Sequence, residues 1–361
     1  MSNVRQDLSE NTYLVTYDVG PNQTGMRLDA FLKDHYRKRS REALKRAIDS
    51  GSILVQRNQG PHVTVGKLKP SLQLLAGDEV MVVSEKKPEP AVCFDYKILF
   101  EDDHLYVIEK PANLPVHPAG RYFFNTLLIH LRTEGHRNPL RANQEYYLVH
   151  RIDKETSGIL VLAKTKEACT DITRQFAERQ TEKTYLAITH GVTPEEFTVD
   201  LAMRRSTTSI IGLKMTTAPE SEGGQSASTG FKRLEVAGDF SLVECYPKTG
   251  RQHQIRVHLD AKGHPIVGDK LYGRPEGEAV NFYDRVHLTP EAEAKLLLPR
   301  HALHAHKIRF THPITRKLQE FVSPLPQDLR DFLSAQTQGP RHLPIFGRMP
   351  AEVPGPSPLQ T

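Results

Sequence analysis

The stretch HRIDKETSGILVLAKT, His150–Thr165, constrains the fold of this chain more than any other. It ends in the run GILVLA, which is apolar enough to predict a buried strand. Arginine, aspartate and lysine stand a few residues before this run, and an unpaired charge next to a buried strand is costly. The fold must therefore supply a partner or a function for Asp153.

Strands outnumber helices in the larger part of the chain, and several strands follow one another directly. Short apolar stretches predict strands at HLYVIEKP, YYLVHRID, TYLAITHG and FSLVECYP. Amphipathic spacing predicts helices at TKEACTDITRQFAERQ, which Thr165 caps, and at RQHQIRVHLDAKG, which Gly263 ends. This order of elements predicts an α+β fold, in which helices flank a mixed, largely antiparallel sheet.

Shifts in composition divide the chain into four segments. Residues 1–85 form a small basic unit, in which MRLDAFLKDHYRKRSREALKRAIDSG predicts two short helices, followed by strands at SILVQRN and DEVMVV. Residues 86–93 are predicted to be a linker, residues 94–335 a larger domain, and the Pro-rich residues 336–361 a disordered tail. The small, polar residues of 206–228 predict a mobile surface loop.

The composition is that of a globular protein, with 38% hydrophobic residues and a formal net charge of +5 that weakly favours an anionic partner. Cys93, Cys169 and Cys245 are far apart and form no CxxC pair, which indicates a reducing compartment without structural zinc. Because the sequence starts with polar residues and has no long apolar run, we expect no signal peptide and no membrane span. We therefore expect a soluble, cytoplasmic protein.

The first unit contains a basic stripe. Its segment RKRSREALKR places Arg37, Lys38, Arg41 and Lys45 near one another on a helix surface. Such a stripe favours contact with a phosphate backbone and makes binding salt-dependent, although a charge run by itself is usually a solvated face. The pattern of two helices followed by strands resembles the αL-type RNA-binding domain named after ribosomal protein S-four. This resemblance favours RNA as the partner.

Asp153 has two interpretations when it is taken by itself. One is a structural ion pair with Arg151 that holds a loop, with Thr156, Ser157 and Gly158 forming the turn before the strand. The other is a carboxylate that takes part in chemistry.

Five segments, taken together, favour chemistry. HRIDKETSGILVLAKT closely resembles the HRLD-x-x-TSG-L-L-hydrophobic-AK signature of the RluA-type RNA pseudouridine synthases. Four more segments resemble the same family in order: VIEKPANLPVHP, QFAERQTEKTYLAITHG, TGRQHQIRVHLDAKGHPIVGDKLYG and RHALHAHKIRFTHPITRKLQEFVSPLP. Ile152 replaces the commoner leucine, and HPAGRYFFNT is richer in aromatic residues than the usual loop. The resemblance covers roughly residues 95–330 and implies the pseudouridine synthase fold.

The resemblance also implies a reaction, the conversion of uridine in RNA to pseudouridine. This isomerisation breaks the glycosidic bond, turns the uracil and rejoins it through C5. It involves no redox change and no net water, so it implies neither a cofactor nor a metal. The essential group is one ionised carboxylate, matched by Asp153, which either attacks the anomeric carbon or removes a ribose proton.

Further roles follow from the same resemblance. Arg256 is expected to pair with Asp153 and keep it ionised, and Tyr185 to pack on the uracil. Arg151 is expected to enter the gap that the flipped nucleotide leaves, and Arg251 to contact phosphate. Without the resemblance, Arg256 reads as a surface arginine on a core helix and Tyr185 as a half-buried strand residue. We expect a monomer that binds ribosomal or transfer RNA.

Two other functions fit parts of the sequence. One is a non-catalytic RNA-binding or ribosome-assembly factor on the same fold, against which Asp153, Tyr185 and Arg256 argue. The other is a hydrolase with an aspartate nucleophile, for which no leaving-group acid is evident. The four histidines of HALHAHKIRFTH do not have the spacing of a standard zinc or iron site. His150 is expected to pack or to form a hydrogen bond, not to catalyse.

Overall fold

A computed structural model of the chain describes residues 4–7, 12–37, 39–57, 63–86, 88–137, 144–283 and 289–338. The chain divides between Glu89 and Pro90 into two compact units, a division that falls within the predicted linker. Lys38 and residues 339–361 of the predicted tail lie outside the described residues. None of the described helices combines the length and the apolar character that a membrane-spanning helix requires.

The first unit is an antiparallel sheet with two helices. Its strands are β1 (Val4–Asp7), β2 (Thr12–Asp18), β3 (Ile53–Arg57), β4 (Val63–Thr64) and β5 (Glu79–Glu85). They pair in the order β1-β2-β5-β3-β4. The helices are α1 (Leu28–His35) and α2 (Arg41–Asp49), and a short 3-10 helix, Pro21–Gln23, precedes them. The two helices and the strands predicted at SILVQRN and DEVMVV are confirmed.

Helices α1 and α2 form because each presents apolar residues at helical spacing. The buried residues are Leu28, Phe31 and Leu32 on α1 and Leu44 and Ile48 on α2, all in one core. Ser40 caps α2, since its hydroxyl accepts a hydrogen bond from the Ala43 N–H at 3.2 Å. Gly51 follows the end of α2 with a φ of 77°, a conformation that suits glycine.

The second unit is built on a ten-stranded sheet. The strands of this unit are β6 (Lys97–Glu101), β7 (Leu105–Lys110), β8 (Tyr147–Leu148), β9 (Ser157–Ala163), β10 (Glu182–His190), β11 (Glu196–Asp200), β12 (Met203–Arg205), β13 (Met215–Thr217), β14 (Ser228–Ala237), β15 (Phe240–Pro247), β16 (Leu303–Thr311) and β17 (Leu318–Val322). The main order is β11-β14-β15-β10-β16-β9-β7-β6, with β8 beside β9 and β17 beside β16, while β12 and β13 form a separate pair.

The helices of the second unit are α3 (Leu127–Arg137), α4 (Lys166–Ala177), α5 (Gln254–Ala261), α6 (Glu276–Tyr283), α7 (Pro290–Leu296) and α8 (Gln327–Gln338). Among the described ladders of the large sheet, β9 with β16 is parallel and the others are antiparallel. The α+β prediction, with a mixed and largely antiparallel sheet, is confirmed.

Strand β9 is the buried strand that the sequence predicts, and all seven of its residues are buried. Its side chains alternate between two core clusters. Leu160 and Leu162 enter one cluster, and Ile159, Val161 and Ala163 enter the other. Because both faces are covered, the strand has a continuous apolar run instead of an alternating one. The residues before β9 are thereby placed at the edge of a rigid core.

The stretch 206–228 differs from its prediction as a surface loop. It contains β13, which pairs with β12, and Ile211 is buried in a cluster with Leu271 and Tyr272. These apolar contacts hold the segment together with the Lys214–Glu276 ion pair and a hydrogen bond from the Met215 N–H to Tyr272.

Three boundaries also differ from prediction. The strand predicted at YYLVHRID is limited to Tyr147–Leu148, because the residues after it form the connection that carries Asp153. The helix predicted at RQHQIRVHLDAKG begins at Gln254, so residues 251–253 precede it. Helix α8 runs to Gln338 and includes residues that were predicted to begin the tail.

Candidate active site

Asp153 lies in the connection from β8 to β9, on the wall of a cleft of about 510 Å³. Its side chain is 29% exposed. Gly158 determines the path of this connection, because β9 pairs there with β16 and leaves no room for a side chain. The φ of Gly158 is 106°, and a Cβ would lie 2.3 Å from the carbonyl oxygen of Ala305. The glycine of the TSG motif therefore helps to place Asp153.

The cleft brings together the predicted catalytic residues and two arginines predicted to contact RNA: Asp153, Tyr185, Arg256, Arg151 and Arg251. The other predicted RNA-binding residues belong to the first unit and are exposed. Arg41 and Lys45 lie one turn apart on α2, whereas Arg37 precedes that helix. The basic stripe that was predicted on one helix surface is thus shared between α2 and the connection before it.

Arg256 is a buried residue of α5, not the surface arginine of the alternative interpretation, and is 5% exposed. Its Nη1 donates a hydrogen bond to Oδ2 of Asp153 at 2.9 Å. Its Nε and Nη2 donate to Oδ2 and Oδ1 of Asp269 at 2.6 and 2.9 Å. The guanidinium is therefore held in one plane by Asp269, with a remaining N–H directed at Asp153.

Sequence reasoning did not single out Asp269 or His253. Asp269 is fully buried and accepts the N–H groups of Leu271 and Tyr272 as well as the guanidinium. A signal was available, since Asp269 stands in GHPIVGDKLYG, within a segment that resembles the family. His253 stands in the same segment and lines the cleft, with Nε2 3.9 Å from Oδ2 of Asp153.

The electrostatics of the cleft favour an ionised Asp153. Burial by itself raises the pKa of a carboxyl group. The positive charges that His253, Arg256 and His301 carry at low pH, together with the 2.9 Å hydrogen bond from Arg256, outweigh burial and lower the pKa of Asp153 to about 2. Burial, followed by the charge of Asp153, raises the pKa of Tyr185. At neutral pH an ionised carboxylate therefore lies in one cleft with an uncharged tyrosine.

The two arginines at the mouth of the cleft are exposed. Arg151 precedes Asp153 in the same connection. Arg251 is anchored by its Nε, which donates to the carbonyl oxygen of Ser226 at 3.2 Å. Both guanidinium groups keep N–H donors available to an anion that enters the cleft.

Lys110 supports the connection that carries Asp153. It is fully buried at the end of β7, and its Nζ donates to the carbonyl oxygens of Pro111, Leu114 and Lys154 at 2.8, 3.0 and 3.0 Å. Three acceptors match the three hydrogens of an ammonium group. The residue after Asp153 is thus tied to the loop after β7.

We expect Lys110→Met to lower the free energy of unfolding by about 2–4 kcal/mol, because three buried carbonyl groups lose their donor. Urea denaturation of the full chain measures this loss. Lys97→Met is the matched control, since Lys97 is exposed on the neighbouring β6. Equal denaturation midpoints for the two variants would show that Lys110 does not hold the loop.

The histidines of HALHAHKIRFTH connect β16 and its flanks to neighbouring segments. His301 and His304 contact the hydroxyl groups of Thr156 and Ser157 at 2.8 and 2.9 Å. The other two histidines contact the carbonyl oxygen of Ser323 (His306, 2.7 Å) and the carboxylate of Asp102 (His312, 2.8 Å).

His150 packs and forms a hydrogen bond, as the sequence interpretation expected. It accepts the N–H of Val161 at 2.9 Å and stacks on Phe176.

Comparisons with known proteins agree on one class. Residues 104–261 match the RNA pseudouridylate synthase family. The chain is 34% identical to ribosomal large subunit pseudouridine synthase D of Nitrosomonas europaea, over 90% of this chain and 89% of that protein. It is 35% identical to the protein of the same name from Zymomonas mobilis, over 85% of this chain and 92% of that protein.

A solved structure of human RNA Pseudouridylate Synthase Domain Containing 4 has a TM-score of 0.50 and 30% identity, over 67% of this chain and 93% of that one. The fold and these relatives define an α+β enzyme that acts on RNA. The chain belongs to the RNA pseudouridylate synthase family. It is an RNA pseudouridine synthase, an isomerase that converts uridine in RNA to pseudouridine.

Proposed function

We propose that this enzyme modifies uridines of large-subunit ribosomal RNA, with Asp153 as its essential carboxylate. The target rests on the names of the relatives from Nitrosomonas europaea and Zymomonas mobilis, each matched over most of its length. The role of Asp153 rests on one observation, a partly exposed carboxylate in a cleft, paired at 2.9 Å with a buried arginine. The enzyme works as a monomer in the cytoplasm.

The chemistry suits a single carboxylate. The bond from N1 of uracil to C1′ breaks, the base turns, and a bond from C5 to C1′ forms. C5 then loses its proton and N1 gains one. Atoms and electrons balance without an oxidant, a reductant or water, so we propose that neither cofactor nor metal takes part. Asp153 acts on the ribose of the target nucleotide.

Arg256 keeps Asp153 ionised and holds it in position, and Asp269 holds Arg256. A buried guanidinium with only one partner would turn to follow that partner. Two hydrogen bonds to Asp269 prevent this and leave one N–H for the catalytic carboxylate. Misplacement of a reacting group on the order of 1 Å can cost about a hundredfold in rate, so we assign Asp269 as a positioning residue.

Tyr185 packs on the flipped uracil. Its ring lines the same cleft as Asp153, and a raised pKa keeps its phenol uncharged beside the base. Arg151 fills the space that the flipped nucleotide vacates, and Arg251 contacts phosphate at the mouth of the cleft.

The first unit binds the RNA backbone through Arg37, Arg41 and Lys45, which are exposed. Changing all three to glutamine is expected to lower the slope of log affinity against log salt by about 2, because each phosphate that a cation neutralises on single-stranded RNA adds roughly 0.7 to that slope. Filter binding at several salt concentrations measures the slope.

The control for this triple variant removes the same charge from exposed residues of the second unit: Lys97, Lys232 and Arg316. If both triple variants change the slope equally, the basic residues of the first unit act only through net charge.

The function itself is tested by mapping pseudouridines in ribosomal RNA from cells with and without the gene. We expect particular large-subunit positions to lose pseudouridine in the deletion strain and to regain it with the wild-type gene but not with Asp153→Asn. If the protein were a ribosome-assembly factor without catalytic activity, both genes would restore the pseudouridines. Loss confined to transfer RNA would overturn the proposed target and leave the reaction intact.

A further inference from the structure

His253 occupies an unusual position at the start of α5. Its φ is 57°, in the left-handed region, a conformation that is strained for a non-glycine residue. Such strain persists only where the surroundings hold it, and it is frequent at functional sites. The side chain is 7% exposed and lines the cleft, with Nε2 3.9 Å from Oδ2 of Asp153. The backbone strain therefore places an imidazole beside the proposed catalytic carboxylate.

The hydrogen bonds of Tyr272 favour one of the two tautomers of His253. Tyr272 Oη accepts the N–H of Met215 at 3.0 Å and lies 2.8 Å from Nδ1 of His253. A backbone N–H can only donate, so the phenolic hydrogen is free to donate to Nδ1. The hydrogen of a neutral imidazole is then on Nε2, the nitrogen that faces Asp153.

The imidazole is neutral under physiological conditions. Burial, with a further contribution from the Arg256 charge, lowers the pKa of His253 to about 4. Burial also raises the pKa of Tyr272, so its phenol keeps the hydrogen that it donates. His253 thus presents a fixed, uncharged N–H donor.

No described residue accepts a hydrogen bond from this donor. Oδ2 of Asp153 is 3.9 Å away, which exceeds the length of a hydrogen bond. Because the ring lines the cleft, its Nε2–H can donate to a group that enters there. The ligand that enters the cleft is the natural acceptor.

We propose that Nε2–H of His253 donates a hydrogen bond to the 2′-hydroxyl of the target uridine, so that this residue senses ribose in the cleft. The inference rests on the proposed role of Asp153 at the ribose. Reacting atoms lie roughly 3–3.5 Å apart, which puts the anomeric carbon beside the Asp153 carboxylate, and the 2′-hydroxyl is on the adjacent carbon. The uracil turns during the reaction whereas the ribose stays in place. A donor that Tyr272 holds in one position therefore suits the ribose. The 2′-hydroxyl distinguishes RNA from DNA.

The test compares two short RNA substrates, one with uridine and one with 2′-deoxyuridine at the target position. We expect the wild-type enzyme to lose about threefold to tenfold in affinity or single-turnover rate on the deoxy substrate, the usual value of one neutral hydrogen bond. On the ribose substrate, His253→Phe is expected to lose a similar factor relative to wild type. On the deoxy substrate, the variant and wild type are expected to perform almost equally. His253→Gln, whose amide N–H reaches a similar position, is expected to recover part of the discrimination.

The arms separate the possible failures. Equal loss on the deoxy substrate by wild type and His253→Phe would show independent effects and overturn the inference. Equal performance of wild type on the two substrates would also overturn the inference. This comparison needs no variant, so it remains valid if the His253→Phe protein does not fold. Asp153→Asn is run alongside on the ribose substrate: turnover by that variant would overturn the proposed function itself.

Discussion

Asp153→Asn is expected to stop isomerisation, with a fall in single-turnover rate of at least about 10³-fold, or about 4 kcal/mol. An amide carries no charge and is neither a base nor a nucleophile, yet it has almost the same size. The variant should fold, because Arg256 keeps its two hydrogen bonds to Asp269. RNA affinity should change little, since we propose that exposed arginines and lysines elsewhere make most of the phosphate contacts.

Glu155→Gln is the matched control, since Glu155 is the other acid of the same connection. Its carboxylate pairs with Lys270 and accepts the N–H of His301, so its loss should reduce stability more than rate. Rates and RNA affinities are measured for both variants with the same substrate. If Asp153→Asn kept its rate within about tenfold of wild type, an effect of about 1.4 kcal/mol, the assignment of Asp153 would be wrong.

Arg256→Lys is expected to reduce turnover by about a hundredfold, although it conserves the charge. Lysine would keep Asp153 ionised, but an ammonium is a mobile point charge. It cannot make the two parallel hydrogen bonds to Asp269 and a third, coplanar one to Asp153. The carboxylate would therefore drift from the ribose. RNA affinity should remain close to that of wild type.

Arg251→Lys tests the other arginine of the same segment. Arg251 is exposed, and its side chain donates to the Ser226 carbonyl, so we expect its change to act on binding. Single-turnover rates and affinities are compared for the two variants. A fully active Arg256→Lys enzyme would show that Arg256 is not a positioning residue. Equal loss of binding and rate would make Arg256 a phosphate contact.

Local patterns predicted most of the fold. The buried strand β9 and the helices α1, α2 and α4 follow from apolar spacing and caps, which are properties of neighbouring residues. Patterns failed where a few apolar residues were dispersed among small, polar ones. Ile211 is an example, because its burial depends on contacts with Leu271 and Tyr272, far along the chain.

The resemblance to a known family predicted Asp153 and Arg256 as partners, and the structure places them 2.9 Å apart across 103 residues of sequence. Their catalytic roles stay predictions until the variants are measured. Asp269 and His253 were overlooked because their importance comes from a neighbour. One is defined by the guanidinium it holds, and the other by the Asp153 oxygen that its ring faces.

The sequence by itself determined the class of fold, the position of the buried strand and the identity of the candidate carboxylate, since these depend on periodicity and on a contiguous motif. Only the tertiary structure decided the protonation and direction of the groups around that carboxylate. The pKa of Asp153, the plane of Arg256 and the tautomer of His253 depend on burial and on hydrogen bonds between distant segments. Such interactions act through space and fall off over a few ångströms, so no spacing along the chain encodes them.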